Sequence, residues 1–318
     1  MESTEQNPPQ WNHTTLMDFI LLGFSDVPDL RGFLFGVFLI IYMIILMGNS
    51  LIIIITKVNP SLQTPMYFFL GNFSSLEICY VSVTVPRLLT DLCRKNRNIS
   101  FLACATQMYF FLVFGATECF ILTAMAYDRY VAICNPLLYP LIMNNRLCIQ
   151  LAASCWITGI PVHIGFTYLI FSLPFCRSNQ LNHFFCDIPP VLKLACGDTF
   201  MIEMLVYTVA VLVVTVPFML ILGSYGKIIS TILKLPSAAG RTKAFSTCSS
   251  HLIIVALFFG SGIMTYLRPK SSHSTGMDKF LSLLYTIVTP MFNPIIYCLR
   301  NKDVMVALKK FLSKWIVL

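Results

Sequence analysis

Charge is scarce in this sequence: 11% of its 318 residues are Asp, Glu, Lys or Arg, against 57% hydrophobic. A soluble globular domain carries about a quarter charged residues, so a fold bathed in water is excluded. Histidine is scarce as well. The five present (His13, His163, His183, His251 and His273) are scattered without metal-ligand spacing, and no catalytic constellation is visible, so no enzyme is expected. The opening Met-Glu-Ser-Thr-Glu-Gln-Asn-Pro-Pro lacks the basic-then-apolar order of a cleaved signal peptide, which leaves insertion to the first apolar span. There is no internal repeat and no pair of matching broken spans of the kind transporters carry.

What the sequence does have is apolar length. Charge-free runs extend from Gly32 to Thr56, Leu147 to Cys176, Met204 to Gly226, Ala244 to Leu267 and Phe280 to Leu299. Each reaches the roughly 20 residues a helix needs to cross hydrocarbon. Two more stretches, about Leu62 to Arg87 and Phe101 to Cys134, are interrupted only by Glu77 and by Glu118 and Asp128. The expected fold is an all-α membrane protein: a seven-transmembrane helix bundle over 31–300 with spans at about 31–57, 62–88, 100–134, 145–170, 200–232, 241–268 and 278–299. An extracellular N-terminal tail, 1–30, precedes the bundle. At its other end, 301–318 sets Val304, Leu308, Phe311, Leu312 and Trp315 at helical spacing among lysines, as in an amphipathic helix lying on the inner membrane surface.

With the N-terminus outside, 12 Lys and Arg fall on the cytosolic side and 10 outside, a weak positive-inside bias. Cysteines and a sequon add support. Asn12-His13-Thr14 is a glycosylation acceptor in the tail. Cys176, Cys186 and Cys196 share the one long connection, about Leu173 to Phe200, which reads as a folded lid, and Cys104 begins the third span. Four cysteines on one face imply two disulfides on an oxidising side. The expected location is the plasma membrane, N-terminus extracellular and C-terminus cytosolic.

Polar residues inside the spans point to function, because unneeded charge there is unfavourable. From Cys104 to Arg129 is 25 residues, about 37 Å of helix at 1.5 Å per residue, so the two mark opposite faces of a core roughly 30 Å thick. Glu118, ten residues before Asp128, lies about 15 Å deep. Glu77, twelve residues beyond Pro65, reaches a similar depth. Two acids there call for a shared proton or a bound cation such as sodium. In the last span Asn293 and Tyr297 share a face and Pro294 favours a kink. Lys243, Ser246, Thr247, Ser250 and His251 form a polar stripe on the sixth.

Together Gly48-Asn49, Pro65 to Leu70, Met125 to Cys134, Lys243 to Leu252 and Pro290 to Arg300, in order and in the right spans, resemble the rhodopsin-like seven-helix G-protein-coupled receptors, and within them the vertebrate olfactory receptors. The resemblance covers nearly the whole chain. It implies that Asp128 holds Arg129, next to Tyr130, until Arg129 is freed to meet a G protein, with Tyr225 and Tyr297 stabilising the open state and Lys243, Asn293 and Pro294 in the same machinery. It implies the bridges Cys104–Cys186 and Cys176–Cys196, and makes Glu77 and Glu118 an acid pair behind the ligand pocket. The usual residue at Glu77 is Asp, and Phe259 stands where many relatives have Tyr. By position the pocket is lined by Met108, Phe111, Leu112, Gly115, Val206, Ala210, Phe259, Gly262, Ile263, Tyr266 and Thr286, with Tyr266 and Thr286 as its hydrogen-bonding groups.

Such a set suits a small, uncharged, volatile molecule. Phe111 replaces the Asp of amine receptors in the wider family, which argues against a biogenic amine. The implied partners are an odorant, a stimulatory G protein of the olfactory type acting through cyclic AMP, and membrane lipid, with no nucleic acid and no cofactor beyond the sodium at Glu77 and Glu118. His183-Phe-Phe-Cys186-Asp187 resembles a proposed metal motif, but a disulfide at Cys186 removes the thiolate and no metal is expected. A same-fold receptor for a non-odorant ligand and an ion or proton transporter are the alternatives.

Overall fold

The computed structural model describes residues 18–24, 28–176, 178–234, 236–266, 275–300 and 302–316. Within it, seven helices are long and apolar enough to cross a membrane. In chain order, strand β1 (Phe19–Leu21) and a short 3-10 turn precede helices α1 (Arg31–Val58) and α2 (Pro65–Cys93), strand β2 (Asn98–Ile99) and helix α3 (Phe101–Cys134). A short α4 (Tyr139–Ile142) leads to α5 (Asn145–Phe171), strand β3 (Gln180–Leu181) and the brief α6 (Ile188–Leu192). Then come α7 (Phe200–Leu233), α8 (Ala238–Tyr266), α9 (Thr275–Leu283), a π-helical turn (Leu284–Val288), α10 (Thr289–Arg300) and α11 (Lys302–Ile316). Elements α9, the π turn and α10 run on as the seventh span.

Helix starts follow their local chemistry. Pro65 opens α2, where a missing backbone N–H is harmless. The side chains of Ser100 and Asn144 accept hydrogen bonds from Ala103 N and Leu147 N at the first turns of α3 and α5. α3 is the axis of the bundle, packed against α2, α5, α7 and α8. Sixty-one per cent of its most apolar window is buried, against 11% for α7, whose apolar side chains face outward as lipid contact demands.

Residues 18–24, expected from sequence to belong to the extracellular N-terminal tail, are built into the fold. β1 is the centre of a three-stranded sheet, antiparallel to β2 and parallel to β3. Phe19 is fully buried against Phe101, Phe171 and Phe175. Buried Lys279 donates through Nζ to the Gly23 carbonyl at 2.6 Å, and Arg97 to that of Leu22 at 2.8 Å. Asn12, the sequon, lies outside the described residues, as do the side chains of Phe311, Leu312 and Trp315 in α11. Val304 and Ala307 on α11 are buried against the bundle.

Close helix approach fixes one glycine. A Cβ on Gly48 would stand 2.9 Å from Cβ of Pro294, so α1 and α10 meet there with no room for a methyl. A Cβ on Gly36, on the same helix, would meet nothing within 4 Å. Gly48→Ala is therefore expected to destabilise by about 1–3 kcal/mol, read as a lowered melting temperature in detergent, whereas Gly36→Ala leaves it unchanged or raises it.

Candidate functional site

Three polar tiers lie along α3. The first is the lid, residues 172–199, which is fastened from several sides. Cys104–Cys186 ties it to α3 and Cys176–Cys196 closes it on itself, with Cα pairs 5.5 Å and 5.8 Å apart. Gln107 of α3, which no sequence pattern singled out, accepts from Cys186 N at 2.9 Å and donates to Val83 O at 2.9 Å. Asp187 accepts from its neighbour Ile188 N at 2.8 Å and from the Tyr285 hydroxyl at 3.1 Å. His183 bonds Ser282 Oγ through Nε2 at 3.1 Å and lies 3.2 Å from Phe185 O through Nδ1. With both ring nitrogens engaged and Cys186 bridged, the His183–Asp187 segment is a strut between lid and α9 rather than a metal cradle.

Beneath the lid lies a cavity of about 870 Å³. Seven of the residues expected there form its wall: Phe111, Leu112, Gly115, Val206, Ala210, Phe259 and Gly262. Three do not. Met108 is fully buried among Cys104, Ile170, Leu181 and Cys186 under the lid, and Ile263 is half-buried away from the wall. Thr286 turns its hydroxyl back onto Ser282 O at 2.6 Å. Position by resemblance does not foresee the π turn, which takes in more residues per turn than an α-helix, and it is Tyr285 that reaches the wall. The side chain of Tyr266 is outside the described residues. Sequence reasoning missed Tyr80, His163, Tyr285 and the lid's Ile188, Pro189 and Leu192 as lining groups. His163 carried a signal, as the sole histidine of its apolar span.

The second tier is the buried acid pair. Glu77 of α2 and Glu118 of α3 stand within hydrogen-bonding reach of each other, and Asn293 of α10 donates through Nδ2 to Glu77 Oε1 at 2.5 Å. Glu77 Oε2, Glu118 Oε1, Ser74 Oγ, Asn293 Oδ1 and the Tyr297 hydroxyl have no hydrogen-bond partner among the described residues.

The third tier is at the far end of α3. Asp128 is fully buried and pairs with half-buried Arg129, whose Nε is 3.0 Å from Oδ2 and whose Nη2 contacts the same oxygen. The hydroxyl of Tyr139, in α4, donates to Asp128 Oδ1 at 2.9 Å. Burial and the neighbouring Asp128 push the Tyr139 hydroxyl pKa up, so it remains a donor. Sequence gave no hint of Tyr139, since nothing in Pro136-Leu-Leu-Tyr139 encodes depth or orientation. Tyr130 stacks obliquely on Tyr127 at 6.4 Å. Tyr225 shares a 2.8 Å hydrogen bond with His251 Nδ1 across α7 and α8, and Tyr297 packs edge-on against Phe73. Of the sixth-span stripe, Ser250 and His251 are buried, while the side chains of Lys243, Ser246 and Thr247 lie outside the described residues. Pro294 sits inside α10 beside Gly48.

Comparison with known proteins adds the family. A family model described as "Olfactory receptor" matches residues 38–315. Human olfactory receptor 10AG1 is 62% identical over 94% of this chain and 99% of its own length. Human olfactory receptors 10C1 and 10A7 are each 54% identical, over 95% of this chain and 97% and 96% of theirs.

Burial holds His183 neutral, pushing its pKa from 6.5 down to about 4; nearby Lys279 and Lys193 add to this, and Phe185 O and Asp278 oppose it. The unfolded chain therefore takes up a proton first as pH falls. The stability supplied by neutral His183 is complete above about 6.5 and is lost towards pH 4, a change on the order of a few kcal/mol. Melting temperature in detergent should fall across that window, and less steeply for His183→Gln.

Proposed function

We propose that this chain, which belongs to the olfactory receptor family, is a receptor whose outer cavity takes a small, mostly apolar volatile ligand and whose opposite end activates a stimulatory G protein of the olfactory type, raising cyclic AMP. The observation that carries the reading is the order of the three tiers on one helix: cavity, acid pair, then the Asp128–Arg129 pair. The family is one of multi-pass membrane receptors rather than enzymes. The chain runs with its N-terminus outside, which puts the four bridged cysteines on the oxidising side and α11 against the inner leaflet.

An agonist acts only by binding one conformation better than the other. In the resting arrangement Asp128 engages Arg129 and Tyr139 together. An agonist that favours outward tilt of α8 loosens this, and Arg129 turns to the G protein while the Tyr225 and Tyr297 hydroxyls, released from their present surroundings, support it. Phe111, Leu112, Gly115, Val206, Ala210, Phe259 and Gly262 make the apolar wall for the ligand; Tyr266 remains a proposed contact, and Met108, Ile263 and Thr286 serve helix packing. The unpaired oxygens of Glu77, Glu118, Ser74, Asn293 and Tyr297 suit a hard cation such as sodium, or protons held between the acids. Either neutralises charge that would otherwise hold α2, α3 and α10 apart.

Cells expressing the chain with the olfactory stimulatory G protein are expected to raise cyclic AMP to members of a broad odorant panel; silence across the panel with a tagged copy demonstrably at the surface would refute the reading. Arg129→Ala abolishes the response. Tyr139→Phe removes a hydrogen bond to a buried carboxylate, about 1–3 kcal/mol, and is expected to raise basal cyclic AMP several-fold per surface receptor.

A further inference from the structure

The cavity wall holds a histidine that the family reading leaves without a task. His163, on α5, is 7% exposed, lines the cavity, and sits among apolar residues of its span. Its Nδ1 is 2.7 Å from the carbonyl oxygen of Gly159, one turn earlier. A carbonyl can only accept, so Nδ1 carries the hydrogen, and in the neutral ring Nε2 then presents a lone pair. The one hydrogen bond His163 makes among the described residues is that through Nδ1, which leaves Nε2 available on a residue of the cavity wall.

The hydroxyls around it face the other way. Thr265 donates to Ser261 O at 2.9 Å, Thr199 to Glu203 Oε1 at 2.9 Å, and Tyr285 to Asp187 Oδ2 at 3.1 Å. All three residues line the cavity, and all three have directed a proton into the protein. Lys193 and Tyr207, also on the wall, are exposed. Against these engaged hydroxyls, His163 Nε2 is an acceptor of the wall with no bond to the described residues.

We infer that His163 is a specificity-determining residue and that the ligand class it selects is hydroxyl-bearing: apolar alcohols and phenols whose O–H donates to Nε2. The inference rests on the odorant-receptor reading above and narrows it. A hydroxyl satisfies the imidazole lone pair, whereas an ether or ketone of the same skeleton brings only another acceptor and leaves both groups unpaired.

The test is a cyclic AMP dose-response comparison of alcohols with the methyl ethers and ketones of identical carbon skeleton, on the unmodified receptor and on His163→Phe, with surface density measured in parallel. The alcohols are expected to act at concentrations lower by about tenfold or more, the factor that one hydrogen bond supplies. In His163→Phe that gap closes, through loss of alcohol potency with ether potency unchanged. Ethers or ketones equal to the alcohols on the unmodified receptor overturn the proposal, a result that needs no variant to reach the surface. So does an alcohol preference that persists in surface-expressed His163→Phe. A surface-expressed receptor that answers none of these compounds but responds elsewhere in the odorant panel overturns this proposal and leaves the odorant reading standing; silence across the whole panel overturns both.

Discussion

Inside hydrocarbon no water can satisfy a polar group, so every donor, acceptor and charge in the spans must find its partner within the protein. The arrangement of this receptor follows from that constraint. Thr117, Thr123 and Ser261 return their side-chain hydrogens to carbonyls of their own helices. The groups that cannot be satisfied locally gather in three places along α3: at Gln107 under the lid, at Glu118 in the middle, and at Asp128 at the opposite end. Each place draws in another helix. Gln107 reaches α2 and the lid; Glu118 reaches Glu77 and, through it, Asn293 of α10; Asp128 reaches α4.

This gives the bundle a physical route from cavity to opposite face. The lid and the seventh span share Asp187–Tyr285 and His183–Ser282, so a ligand lying against Tyr285 touches the same helix that carries Asn293 and Tyr297. The π turn lies between them and is a place where such a helix can change register at small cost. The acid pair is only partly satisfied, and a partly satisfied buried network is sensitive to small movements. α7 is largely exposed to the apolar phase, and its buried polar link to α8 is the Tyr225–His251 hydrogen bond.

Much of this was legible in the sequence because hydrophobic length and charge depth are one-dimensional properties. The seven spans follow from apolar runs, and Glu118 and Asp128 from residue rise along a helix. What depends on a local change of geometry was not legible. Thr286 was placed in the cavity by the resemblance; within the π turn its hydroxyl bonds Ser282 O instead, and Tyr285 lines the wall. Phe19-Ile-Leu21 is too short to show strand periodicity, yet it anchors the lid through partners far along the chain. Tyr139 depends on a loop folding back under α3, and His163 on which face of α5 meets the cavity. Both are properties of packing that spacing alone does not contain.

The central claim is that occupation of the cavity drives events at the Asp128–Arg129 end. Gly115 lies on the cavity wall, and a Cβ there would meet nothing within 4 Å, so a side chain at this position starts into open space. The most direct measurement is the cyclic AMP dose-response of Gly115→Phe to any agonist of the unmodified receptor. The account predicts normal surface density, unchanged basal cyclic AMP and an agonist response weakened by tenfold or more. A full response at unchanged potency would place ligand binding elsewhere and contradict it.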